Sequence, residues 1–143
     1  MTQEEKDLLL KDLCARLPYG VKVAYFNADL THHSEPKSLI AIECINNLNY
    51  SRLEDEDGNT TIVEFVKPYL FPLSNMTDRQ TEEYESLCIK VTSECGDLYG
   101  TWFMKDYYYD TVESIDYLYK NHIDIRGLIP KGLALDATGK NIY

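Results

Sequence analysis

The dipeptide Asp57-Gly58 limits the folding of this chain more than any other feature, because it lies between two β-rich runs and supplies the positive-φ pair that a tight antiparallel reversal needs. Residues 50–53 and 60–66 are therefore expected to form a hairpin. Upstream, Val21-Lys22-Val23-Ala24-Tyr25-Phe26 alternates, and residues 38–45 form an apolar run containing Leu39, Ile40, Ile42 and Ile45, so two further strands precede it. Consecutive strands tend to pair as neighbours. Four short antiparallel strands over about residues 21–66 then make a small curved sheet or a partly open, SH3-like barrel. The polar stretch 27–37 between the first two strands reads as a long loop.

Helix signals flank this β region. Thr2 with Glu5 is a capping box, each side chain satisfying a backbone N–H that the first helical turn leaves unpaired. A helix over 3–17 follows, with Leu9, Leu10, Leu13, Cys14 and Leu17 as its apolar stripe and Glu5, Asp7, Lys11 and Asp12 on the wet side; Pro18 and Gly20 end it. Thr77 and Gln80 repeat the box ahead of a second helix over 78–92, with Tyr84, Leu87, Cys88 and Val91 facing inward. Asp110 and Glu113 cap a third, whose inner face is Val112, Ile115, Leu118 and Tyr119. Residues 67–72 contain Pro68 and Pro72, which lack ladder donors, so an extended strap is expected there and not a central strand. The tail, 123–143, carries Leu128, Ile129, Leu133 and Leu135 between glycines and should dock. Together these give an α+β chain read as one domain, 1–143: helix 3–17, a β-rich 21–66, and a helical and aromatic part over 77–143, with three amphipathic helices packing on the sheet.

The chain's 143 residues, 44% hydrophobic, suffice for a buried core. Twenty-four Asp and Glu against 14 Lys and Arg give a net charge of −10, which sets the molecule against a phosphate backbone; no direct nucleic-acid backbone binding is expected. The acidic start, Met1-Thr2-Gln3-Glu4-Glu5-Lys6, is unlike a signal peptide, and no apolar run is long enough to span a bilayer, so no membrane partner and a cytoplasmic location are expected. Cys14, Cys44, Cys88 and Cys95 contain no CxxC pair and read as free thiols, mostly buried.

Motifs of catalysis are missing. An EF-hand pattern laid on the acidic turn gives Asp55, Asp57, Gly58 and Glu64 but puts Leu53 at the first ligand position and strands where helices belong, so a solvated acidic turn is the better reading. His32 and His33 beside Glu35 belong to the polar loop, and His122 lies where a third-helix C-terminus would favour a cation. There is no GxSxG elbow, GxxxxGK[ST] loop, GxGxxG turn or HExxH helix; no catalytic residue, metal or cofactor is assigned. The candidate surface is aromatic: Trp102, Tyr107, Tyr108 and Tyr109, with Tyr99 and Phe103 nearby. Consecutive tyrosines on a strand cannot all face one core. The alternative is that Trp102 fills the core and Tyr109 staples the third helix. Arg126, among apolar neighbours, either pairs with a carboxylate such as Asp124 or Asp136 or clamps an anionic ligand near the tyrosines.

The segments Leu17-Pro18-Tyr19-Gly20-Val21, Lys67-Pro68-Tyr69-Leu70 through Met76-Thr77, and Arg126-Gly127-Leu128-Ile129 with Lys131-Gly132-Leu133-Ala134-Leu135-Asp136 resemble a family of small uncharacterised proteins of gut Bacteroidales and their phages and prophages. The resemblance covers nearly the whole chain, with loop 27–37 as an elaboration. It implies a bacterial cytoplasmic setting and a mobile-element origin, and it brings no site residues. The expected function is that of a non-enzymatic accessory protein acting by protein–protein contact, against a host factor or defence system, with a host or phage protein as partner; self-association is compatible with it. The alternative is a small-ligand protein that binds or sequesters a nucleotide signal, with Trp102 or a tyrosine stacking the base and Arg126 meeting phosphate. An enzyme is the third class.

Overall fold

The computed structural model describes residues 1–45 and 50–143. In chain order the elements are α1 (Gln3–Arg16), β1 (Lys22–Tyr25), β2 (Lys37–Ile45), β3 (Tyr50–Asp55), β4 (Thr60–Ile62), β5 (Val66–Pro72), α2 (Asp78–Leu87), β6 (Ile89–Gly96), β7 (Trp102–Tyr109), α3 (Val112–Lys120), β8 (Ile123–Asp124) and β9 (Leu135–Asp136). The fold is α+β. Contacts divide the chain into two compact units, residues 1–75 with 119–143 and residues 76–118, so that α3 contributes to both. No helix among the described residues is long and apolar enough to cross a membrane.

Unit 1 is a mixed seven-stranded sheet in the order β4-β3-β2-β1-β5-β8, with β9 also on β5, and it does not close into a barrel. The expected antiparallel neighbours are present: β1 with β2, β2 with β3 and β3 with β4. The reversal between β3 and β4 forms, but of the Asp57-Gly58 pair only Gly58 takes a positive φ. Gly58 has φ +80°, and Asp55 Oδ1 accepts the N–H groups of Asp57 and Asn59 at 2.9 Å each. The carboxylate that a calcium loop would need is thus holding the turn, and Glu64 pairs with Lys6 instead.

β5 corrects the expected strap. It is a paired strand, antiparallel to β1 and parallel to β8 and β9. Alternate residues of a strand address opposite edges, so Pro68 and Pro72, four apart, lack their donors on the same edge. Leu70 shares that parity, and its carbonyl accepts from Ala137 N at 2.8 Å, so this edge meets the two-residue β9 and demands few donors. The tail docks as expected, burying Leu128, Leu133 and Ala137 in unit 1.

α1 starts at the Thr2–Glu5 capping box. Its buried residues are Leu9, Asp12, Leu13 and Arg16, so Asp12 is interior and not on the wet side, while Cys14 is exposed. The core joins Leu9 and Leu13 to Val23, Leu39, Leu53 and Leu70 of the sheet and to Leu128 and Leu133 of the tail. Each leucine so buried contributes about 1.5–3 kcal/mol relative to exposure. Cys88 and Cys95 are free and partly buried. The side chain of Cys44 lies outside the described residues.

Unit 2 departs further from the sequence reading. The Thr77–Gln80 box starts α2, but the helix ends at Leu87, and β6 occupies residues expected to be helical. Ile89, Val91 and Thr92 are β-branched, and all eight residues of β6 find partners on β7, from Ile89↔Tyr109 to Gly96↔Trp102. At α3 the cap is Thr111, whose Oγ1 accepts from Ser114 N at 3.1 Å while Ser114 Oγ accepts from Thr111 N at 2.9 Å. Asp110 is released from that role and accepts a hydrogen bond from the Tyr84 hydroxyl.

Candidate functional site

Two groups of side chains stand apart from ordinary packing, and each lies within one unit. The first is the β6–β7 hairpin of unit 2. Side chains of a strand alternate between faces, and directly opposed residues share a face. The register therefore puts Ile89, Val91, Phe103, Tyr107 and Tyr109 on one side with Cys95, Ser93 and Lys105, and Lys90, Thr92, Glu94, Asp106 and Tyr108 on the other with Met104 and Trp102. This is the pattern of a strand pair with one covered face. The apolar face is nevertheless exposed at Ile89, Val91, Phe103, Tyr107 and Tyr109.

The polar face holds its own contacts. Lys90 Nζ lies 2.8 Å from Asp106 Oδ2, and Thr92 Oγ1 donates to Asp106 Oδ1 at 2.7 Å. These two partners keep the Asp106 carboxyl below the usual range, Lys90 contributing most. Across the strands the Trp102 ring lies over Gly96. On the apolar face, Cys95 Sγ and Tyr107 Oη are 3.2 Å apart. The base of the hairpin is fastened by Thr111 Oγ1 donating to the Leu87 carbonyl at 2.7 Å and by Tyr117 Oη donating to Glu83 at 2.8 Å.

The far end is a reversal over residues 97–101. Asp97 N donates to Thr101 O at 2.9 Å, Asp97 Oδ1 accepts from both Tyr99 N and Thr101 N at 2.8 Å, and Gly100 has φ +82°. The N–H of Thr101 foremost, then that of Tyr99, holds the Asp97 carboxyl below its ordinary range. This turn presents Leu98 fully exposed and Tyr99 93% exposed. Trp102 is 69% exposed and so does not fill a core.

The second group is an ion network inside unit 1. Asp12 and Arg16 are both fully buried; Arg16 Nε donates to Asp12 Oδ2 at 2.7 Å, and its Nη2 donates to the Ile123 carbonyl at 2.7 Å. Arg126 Nη2 donates to Tyr119 Oη at 2.7 Å, with its Nε 3.4 Å from Asp12 Oδ1. Tyr119 also lies under the Arg16 guanidinium, 4.9 Å from ring centre to Cζ. Arg126 thus has a carboxylate partner, but on α1. Asp124 is occupied with the N–H groups of Leu128 and Ile129, and Asp136 with that of Thr138. Next to this network His122 stacks on Tyr143, ring centres 3.8 Å apart. Burial, and then the Arg16 charge, lower its pKa to about 4, so the imidazole at the end of α3 is neutral and not the cation the helix terminus would favour.

The candidates therefore fall into separate groups: Trp102, Tyr107, Tyr108 and Tyr109 lie on β7 in unit 2, and Arg126 lies in the interior network of unit 1. Sequence reasoning missed Asp12 and Arg16, although residues 9, 12, 13 and 16 fall at helical spacing on one face and carry the signal. It missed β6 as well, where apolar Ile89 and Val91 alternate with polar Lys90 and Thr92.

Other features are chemically modest. A cleft of about 340 Å³ in unit 1 is lined by Tyr25, Ser34, Lys37, Asp55 and Asn59 with Thr60 and Thr61, yet Asp55 is committed to its turn and Lys37 to Asp57 at 2.6 Å. His32 faces Thr31 and His33 faces the Ser34 carbonyl, so the two rings do not share a site. Among the described residues no three His, Cys, Asp or Glu side chains gather as metal ligands. No family model, curated protein or solved structure matches the chain.

Proposed function

We propose that this protein works by binding another protein through the β6–β7 hairpin. The observation that carries the reading is the period-two division of the hairpin into a face with an internal Lys90–Asp106 ion pair and a more apolar face, with Ile89, Val91, Phe103, Tyr107 and Tyr109 open to solvent. Apolar patches of this kind mark interaction surfaces, and tyrosine and tryptophan anchor them disproportionately. The hairpin is an arm and not a reaction centre. A non-enzymatic role in the bacterial cytoplasm, as a phage- or prophage-type accessory protein against a host factor or defence system, is the setting we infer; the segments Leu17–Val21 and Arg126–Asp136 and their family resemblance support it. Within the same reading, β1 to β5 form an open, SH3-like curved layer.

The nucleotide-binding alternative draws less support, because the Arg126 guanidinium it would need is engaged by Tyr119 and Asp12. The test is affinity capture from host lysate, followed by reconstitution with the purified partner. A Tyr107→Ser, Tyr109→Ser chain should retain its thermal midpoint and lose the partner. Equal binding by both chains, or no reproducible partner, contradicts the proposal.

A further inference from the structure

The charge of the molecule is unevenly placed. Residues 76–118 contain ten carboxylates against Arg79, Lys90 and Lys105, a net charge of −7 out of the chain's −10. Lys90 is already neutralised by Asp106 at 2.8 Å, and residues 91–104, at the far end of the arm, carry Glu94 and Asp97 with no lysine or arginine, so the charge offered around the turn is negative. A second copy would bring −7 against −7, and an anionic membrane would be repelled in the same way. At the end of the arm, the two most exposed apolar side chains of the arm, Leu98 and Tyr99, stand on a turn fixed by four hydrogen bonds to Asp97 main-chain and side-chain atoms. A turn held this way has its ordering cost met before any encounter. A convex, fully solvated Leu-Tyr pair is matched by a concave apolar acceptor, and the surrounding carboxylates are matched by lysine and arginine.

Building on the interaction reading above, we propose that the arm docks tip first, inserting Leu98 and Tyr99 into an apolar cleft rimmed by basic residues on the partner protein. Glu94 and Asp97, beside the tip and without a cation of their own chain among the described contacts, meet that rim. The acidic field speeds encounter and disfavours acidic surfaces, and the tip supplies the hold.

The experiment places a photoactivatable benzoylphenylalanine at position 98 of the full chain, irradiates it in host lysate, identifies the adduct, and titrates the purified partner against the wild type and against Leu98→Ala, Tyr99→Ala. The proposal expects an adduct in a cleft flanked by Lys and Arg. It expects affinity to weaken about tenfold between low and physiological salt, and about thirtyfold or more in the double alanine chain, with the fold unchanged by circular dichroism. Adducts only with a second copy or with lipid, affinity indifferent to salt, or an unaffected double alanine chain would overturn it. A partner that binds through Tyr107 and Tyr109 but ignores the tip variants overturns the tip-first mode alone; a partner that ignores both overturns the interaction reading.

Discussion

Unit 1 and unit 2 treat their polar and apolar groups in opposite ways. Unit 1 encloses a carboxylate and a guanidinium at zero exposure, Asp12 and Arg16, and pairs them with each other, the Ile123 carbonyl and the Tyr119 ring. Unit 2 keeps its carboxylates in water and also leaves Leu98, Tyr99, Trp102 and the face of Phe103, Tyr107 and Tyr109 there. Burial of an ion pair gives little net stability but makes its loss costly, because the surviving charge stays unpaired. Exposure of aromatic rings forgoes stability that burial would supply. The difference teaches that the two units are built differently: unit 1 pairs its buried charges within an ion network, and unit 2 leaves apolar area in water that its own strands do not cover.

The comparison can be broken first at Asp12. Asp12→Ala leaves Arg16 uncompensated in the interior and should lower the unfolding free energy by about 3–5 kcal/mol, measured by urea denaturation at neutral pH. A loss under about 1 kcal/mol would mean that the network does not organise unit 1. Replacing both partners, Asp12→Leu with Arg16→Met, should recover most of that loss.

A smaller effect follows from His122. Its pKa in the folded protein, about 4, lies below the ordinary 6.5, so the unfolded chain takes up the proton first. The stability it contributes is complete above about pH 6.5 and declines as pH falls toward 4. Urea midpoints at a series of pH values across this window should therefore decline. His122→Asn, chosen because the backbone there has φ +56° and Asn tolerates that region, should flatten the decline. An identical decline in the variant would show that His122 is not the group responsible.

Next in size is the cap of α2. Thr77→Ala removes the acceptor for Gln80 N and should cost about 1 kcal/mol in unit 2, read by amide exchange over α2 with little change over β1 to β5. Equal loosening in both units would show that they do not unfold separately. The smallest stability effect belongs to the arm's end: Leu98→Ala, Tyr99→Ala should leave the unfolding free energy, read by urea denaturation, within about 0.5 kcal/mol of wild type, since neither side chain is buried. A marked fall would mean that these side chains support the fold.

Local chemistry made parts of both units legible in the sequence. The Thr2–Glu5 and Thr77–Gln80 boxes and the Asp57-Gly58 reversal each involve residues a few positions apart, so their physics is contained in a short window. What escaped notice depends on distant partners. Pro68 is accepted in β5 because of which edge it faces, and that is set by β1 and β9. Asp12 is interior because Arg126, more than a hundred residues away, and Arg16 come to it. β6 follows a helical cap closely, so the alternation of Ile89, Lys90, Val91 and Thr92 competes with a helical reading, and the pairing with β7 decides between them. For the site, the outward tyrosines could be inferred from the two-residue repeat alone, but the division into an apolar and a polar face required the register.

The central claim is that β7 presents its aromatic residues to solvent, and the chain's sole tryptophan lies on that strand. Acrylamide quenching of Trp102 in the native protein, compared with the same protein in concentrated urea, tests it directly. The account predicts a native quenching constant approaching that of the unfolded chain and an emission maximum close to that of an indole in water. A strongly shielded, blue-shifted Trp102 in the isolated protein would contradict it.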